Sequence, residues 1–61
     1  MNERLEVYQN QQGFLAVWNF GKKERQFDNV EQVKRLIIAA NFKTISWYDL
    51  RGALVKREDR R

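Results

Sequence analysis

The chain has 61 residues, with 12 Lys and Arg against 8 Asp and Glu, so its formal net charge at pH 7 is +4. It contains no cysteine and no histidine, which excludes disulfide bonds and the usual zinc ligands. Hydrophobic residues make up 43% of the sequence, enough for a folded but small core. We therefore predict one small domain over residues 1–61, with a basic surface that modestly favours nucleic acid.

The first two predicted elements are β-strands joined by a glycine turn. Over residues 4–9, Leu5 and Val7 alternate with polar residues at the period of two that is expected when one sheet face is buried. Gly13 closes a turn, because glycine tolerates positive φ. The second strand covers 14–20, and its alternation places Phe14, Ala16, Trp18 and Phe20 on one face.

A basic turn and a helix follow. Lys22 and Lys23 form the turn with Gly21, and 24–27 is predicted to be a short third strand. Asp28 is the predicted helix N-cap, with a capping-box partner in Glu31. The helix ends near Asn41. Its apolar stripe has helical spacing and consists of Val30, Val33, Leu36, Ile37 and Ala40.

Residues 42–58 allow two structures. Ser46 can cap a second helix with Asp49 at its third position, and this is the favoured prediction. Alternatively, the β-prone run Phe42–Tyr48 pairs with 53–58 across a turn at 49–52. The predicted class is α+β: a small antiparallel sheet of two or three strands, packed by one amphipathic helix and followed by a second helix or a hairpin.

The sequence lacks the parts that catalysis requires. The hydroxyl groups of Thr44 and Ser46 have no histidine to activate them, so we do not expect an enzyme. We also expect no metal and no cofactor. No apolar stretch reaches the roughly 18 to 20 residues that span a bilayer, and the polar start is unlike a signal peptide. We therefore expect an intracellular protein without a membrane partner.

The order of strand, glycine turn, aromatic strand, basic turn and helix resembles the arm-binding domain of phage-type tyrosine recombinases, which has three strands and one helix. The matching residues are Gly13, Phe14–Phe20, Lys22-Lys23 and Phe27. The resemblance implies a sheet lying in the DNA major groove. Because the second strand carries no basic residue, either basic residues at the sheet edges contact the groove or the sheet does not bind DNA. The edge residues are Arg4, Lys22, Lys23 and Arg25.

A second resemblance begins at the helix start. The segments Phe27–Val30, Thr44–Ser46 and Leu50–Gly52 are similar to the helix-turn-helix modules attached to homing endonucleases. In those modules the second helix enters the major groove. The resemblance implies DNA contacts from Lys43, Trp47, Arg51 and Lys56.

Two functions follow as expectations. The first is a small DNA-binding protein, encoded by a phage or mobile element and binding double-stranded DNA. Its predicted contacts are Arg4, Lys22, Lys23, Arg25, Lys43, Arg51, Lys56 and Arg57. The alternative is a protein-interaction module, an inhibitor or adaptor that acts through an aromatic surface, with a homodimer as one form. The residues predicted for that surface are Tyr8, Trp18, Trp47 and Tyr48.

Overall fold

The computed structural model describes residues 4–60, which form an α+β fold with one mixed sheet and one helix. The elements are β1 Arg4–Asn10, β2 Gly13–Trp18, β3 Lys23–Phe27, α1 Val30–Ala40, β4 Thr44–Tyr48 and β5 Leu54–Asp59. The strand order is β3-β2-β1-β4-β5, and only the β1–β4 pair is parallel. No helix in this range is long and apolar enough to cross a membrane.

The β1–β2 hairpin depends on glycine at position 13. Gly13 has a φ of 134° and pairs with Asn10 at the end of the ladder. A Cβ here would overlap the backbone carbonyl oxygen of Phe27 and lie 2.9 Å from that of Asp28. Only glycine fits both the backbone angle and the close approach of the chain after β3.

The core lies between α1 and one face of the sheet. Leu5 and Val7 are fully buried in β1, which confirms the alternation predicted for this strand. The helix contributes Val33 and Ile37, and Trp18 packs against this cluster while half-buried. The remaining buried apolar residues are Ala16, Phe27, Phe42 and Ile45. The predicted packing of one amphipathic helix against the sheet is therefore confirmed.

The helix begins one residue later than predicted. Asn29 is the N-cap, and its side chain accepts a hydrogen bond from the backbone N–H of Gln32 at 3.1 Å. The side-chain oxygen of Gln32 accepts from the backbone N–H of Asp28 at 3.0 Å. The capping pair is thus Asn29 with Gln32, and the prediction of Asp28 with Glu31 is wrong. Asparagine and aspartate cap equally well, so local sequence does not separate the two positions.

The prediction of a second helix is wrong. Residues 44–59 form the alternative structure, a hairpin of β4 and β5. The turn is held by Asp49, whose Oδ1 accepts from the backbone N–H groups of Arg51 at 2.9 Å and Ala53 at 3.0 Å. Gly52 takes a φ of 82° there, which a helix would not allow. Because β4 also pairs with β1, the sheet has five strands instead of two or three.

We expect Ile37→Ala to lower the free energy of unfolding by about 2–4 kcal/mol, because Ile37 is only 4% exposed and its truncation leaves a cavity. Thermal and urea unfolding would measure this decrease. Ile38→Ala is the matched control, since Ile38 is 80% exposed on the same helix. Because both variants replace isoleucine by alanine within α1, the intrinsic helix propensity rises equally in both and cancels in the comparison. Equal stability of the two variants would contradict the assignment of the core.

Candidate functional site

The sheet brings four segments with basic residues to one end. The start of β1, the β2–β3 turn with the first residue of β3, the start of β4 and the end of β5 all lie at this end. Arg4 pairs with Thr44 and Thr44 with Asp59, while Leu5 pairs with Trp18 and Trp18 with Lys23. The backbone N–H of Arg60 donates to the carbonyl oxygen of Lys43 at 2.6 Å, which closes this end. We call it the basic end. Its basic residues are Arg4, Lys22, Lys23, Lys43 and Arg60, all exposed.

The other predicted DNA contacts do not join the basic end. Arg25 and Lys56 lie in one cross-strand row on the helix side, but on opposite edge strands of the sheet. Arg57 alternates to the other face and forms an ion pair with Asp59 at 3.4 Å. Arg51 lies in the β4–β5 turn, at the far end of the strands. Four of the eight predicted DNA contacts therefore lie at the basic end, and the other four lie elsewhere on the protein.

Phe20 is the exposed aromatic residue nearest to these cations. It is 94% exposed in the β2–β3 turn, so the prediction that it lies in β2 is wrong. Asn19 and Phe20 have φ values of 58° and 57°. The left-handed conformation costs a residue with a Cβ about 1–2 kcal/mol. A bulky side chain held in such a conformation and left in solvent suggests a functional role.

The sheet face opposite α1 carries a tyrosine pair. The Tyr8 and Tyr48 rings stack with centroids 4.7 Å apart and an interplanar angle of 12°. Both hydroxyls donate to Oε2 of Glu6, Tyr8 at 3.0 Å and Tyr48 at 3.5 Å. Burial is the largest cause that raises the pKa of Tyr8 above 10.0, followed by its bond to Glu6 and the charge of Glu6.

We call this surface the open face. Among residues 4–60 no second layer covers it, and its members on the three central strands are Glu6, Tyr8, Leu15, Val17, Ser46 and Tyr48. Glu24, Gln26 and Arg57 extend it onto the two edge strands. Of the four residues predicted to form one interaction surface, only Tyr8 and Tyr48 belong to the open face. Trp18 and Trp47 lie on the opposite face, where they make edge-to-face contacts with Phe42 at 6.3 Å and Phe14 at 6.5 Å. The four predicted aromatics therefore do not form one surface.

A groove lies on the helix side of the sheet, beside β4 and β5. The helix lies closest to β2 and β3, so β5 stays exposed on this side, with Lys56 in solvent. The groove has a volume of about 260 Å³, and Trp47 and Lys56 line it with five residues that the sequence did not single out for a site. These five are Lys34, Ile37, Ile38, Glu58 and Arg60. One signal was available, because Ile38 is a large apolar residue outside the helix stripe.

Within residues 4–60 no three acidic side chains come together in a way that could hold a metal ion. Comparison of the chain with protein-family models, with curated proteins and with solved structures gives no match. The resemblances to recombinase arm domains and to homing-endonuclease modules therefore stay predictions.

We expect Tyr8 to ionise above its ordinary value of 10.0. Because the folded protein holds this proton more tightly than the unfolded chain, the stability from Tyr8 is complete below about pH 10 and falls as the pH rises through the folded pKa. Tyrosinate absorbance in a Tyr48→Phe background measures Tyr8 alone. Adding Glu6→Gln should lower the midpoint, because it removes the nearby negative charge. An identical midpoint with and without Glu6 would contradict the role of this carboxylate.

Proposed function

We propose that the protein binds nucleic acid through its basic end. The observation that carries this proposal is that the strand register places five exposed cationic side chains from four separate segments at one end of the sheet, with the exposed Phe20 in the same turn as Lys22. Lys and Arg contact phosphates and supply most of the affinity for nucleic acid, while aromatic side chains stack on bases. The basic end offers both kinds of contact.

The local charge balance supports this location. Asp59 is the acidic residue that the strand register brings closest to the basic end. Its Oδ1 accepts from the Thr44 hydroxyl at 3.2 Å and pairs with Arg57 at 3.4 Å. The negative charge of Asp59 is therefore directed at neighbours other than the turn lysines. Glu24 follows Lys23 directly, but it pairs with Val17, so its side chain alternates to the face opposite that of Lys23.

Phe20 adds a contact that surface charge alone does not explain. Cations around a turn keep a small protein soluble without any ligand. A phenylalanine that is 94% exposed has the opposite effect on solubility, and its φ of 57° costs folding free energy as well. Stacking of a base on the Phe20 ring would contribute about 1–3 kcal/mol to binding. That contribution is comparable to the free energy that the left-handed conformation costs.

The open face is poorly suited to nucleic acid. Its centre is the Glu6 carboxylate, which accepts from both tyrosine hydroxyls and repels phosphate. The tyrosine rings use one face each on their mutual stack, so only their outer faces could meet a base. We therefore assign the proposed contact to the basic end.

Neutralising the turn lysines should weaken binding at every sequence. We expect Lys22→Gln with Lys23→Gln to flatten the dependence of log affinity on log salt by about 0.9 for each phosphate that these lysines neutralise. Fluorescence anisotropy with a labelled duplex and a labelled single strand, over a series of salt concentrations, measures this slope. Unchanged affinity in the double variant would show that Lys22 and Lys23 do not contact the nucleic acid.

The matched control is Arg35→Gln with Arg51→Gln, which also removes two positive charges but away from the basic end. Arg35 is exposed on α1, and Arg51 lies in the β4–β5 turn. If affinity followed net charge alone, both double variants would bind equally weakly, and no defined site would be needed. If the parent protein bound neither probe at low salt, the proposed function would be wrong.

A second candidate function is protein contact through the open face, either with a second copy of the chain or with another protein. Leu15 and Val17 are half-buried there beside the tyrosine pair, so covering them would bury apolar surface. A homodimer should give twice the chain mass in size-exclusion chromatography with light scattering, and Val17→Lys should return it to a monomer. A monomer mass at all concentrations, with or without duplex, would contradict the dimer.

A further inference from the structure

We infer that the groove binds one unpaired base, and that the preferred ligand is therefore single-stranded nucleic acid. The inference rests on the proposed function and deepens it, because the basic end alone does not distinguish single strands from duplexes. Three features of the groove carry it: a fixed aromatic floor, a cationic rim, and its continuity with the basic end.

Trp47, the aromatic residue that lines the groove as its floor, is held in one orientation. The Trp47 Nε1–H donates to Oε2 of Glu58 at 3.0 Å, and the ring packs edge-to-face on Phe14 at 6.5 Å. The indole is therefore fixed by a polar contact and by an aromatic contact before any ligand arrives. A fixed ring loses little conformational entropy when a base stacks on it.

The rim combines apolar surface with positive charge. Ile38 lines the groove and is 80% exposed, so it offers apolar surface to a ligand. Lys34, Lys56 and Arg60 surround the groove. Its one acidic residue, Glu58, already accepts from Trp47 and pairs with Lys56 at 3.8 Å. The groove therefore suits a flat, apolar group that carries negative charge nearby, as a nucleotide does.

The volume of the groove and its continuity with the basic end favour single-stranded nucleic acid as the ligand. About 260 Å³ lies below the roughly 300–1,000 Å³ of pockets that hold whole drug-sized molecules, so the groove has room for one small ring system. A duplex keeps its bases stacked and paired, and it offers no base to such a pocket. Arg60 lines the groove and its backbone bonds Lys43, so one strand can pass from the basic end into the groove.

The test uses the full chain carrying Trp18→Phe, in which Trp47 is the only tryptophan. We expect oligothymidylate to quench Trp47 emission on binding, and a duplex of equal length to leave it unchanged. Adding Trp47→Leu should weaken oligothymidylate binding about tenfold or more while leaving duplex affinity unaltered. Ile38→Ser provides a second variant at an exposed position, so the inference can be tested even if Trp47→Leu does not fold.

Each result has a distinct meaning. Binding of oligothymidylate with unchanged Trp47 emission would overturn the inference, and so would an equal weakening of single-strand and duplex binding in the variants. Duplex binding without oligothymidylate binding would overturn it and leave the proposed function intact. If neither probe bound at low salt, both proposals would fail. Tighter binding of an acidic peptide that contains phenylalanine would identify a protein ligand for the groove instead.

Discussion

Burial of β1 at the centre of the sheet is the constraint on which the other features depend. Leu5 and Val7 are fully buried, and β1 pairs with β2 on one edge and β4 on the other. The β1–β2 pair is a local hairpin, whereas the β1–β4 pair is closed only after the chain has crossed the sheet as α1. The parallel register then places Tyr8 beside Tyr48 and the start of β1 beside the start of β4. Both the open face and the basic end are consequences of that pairing.

The local elements could be predicted from sequence because their signals are short-range. Alternation indicated β1, Gly13 indicated the first turn, and helical spacing indicated α1. The segment after α1 could not be assigned in this way, because Ser46 and Asp49 also fit a helix start. Its structure is decided by non-local pairing with β1 and by hydrogen bonds that Asp49 makes within the turn. The turn lysines were predictable as a basic cluster for the same reason, whereas their convergence with Arg4 and Lys43 required the tertiary fold.

Two kinds of positive charge can be distinguished on this protein. β3 and β5 are the edge strands of the sheet, and charged side chains on edge strands prevent sheets from joining. Arg25 and Arg57 are explained by that role without any ligand, whereas Lys56 also lines the groove. Lys22 lies in a turn outside the strand ladder, beside an exposed phenylalanine, where edge protection is not needed. Its position outside the strands therefore marks Lys22 as a cation that edge protection does not explain.

The conformation of Phe20 has a consequence for directed evolution. A left-handed φ of 57° favours glycine or asparagine, and nothing in the core requires an aromatic ring at a position that is 94% exposed. In a mutant library selected only for resistance to proteolysis, Phe20 should be among the first residues replaced. In the same library selected for ligand capture, it should be retained at the expense of stability. The difference in residue frequency at this one position would report how strongly the turn is shaped by recognition rather than by folding.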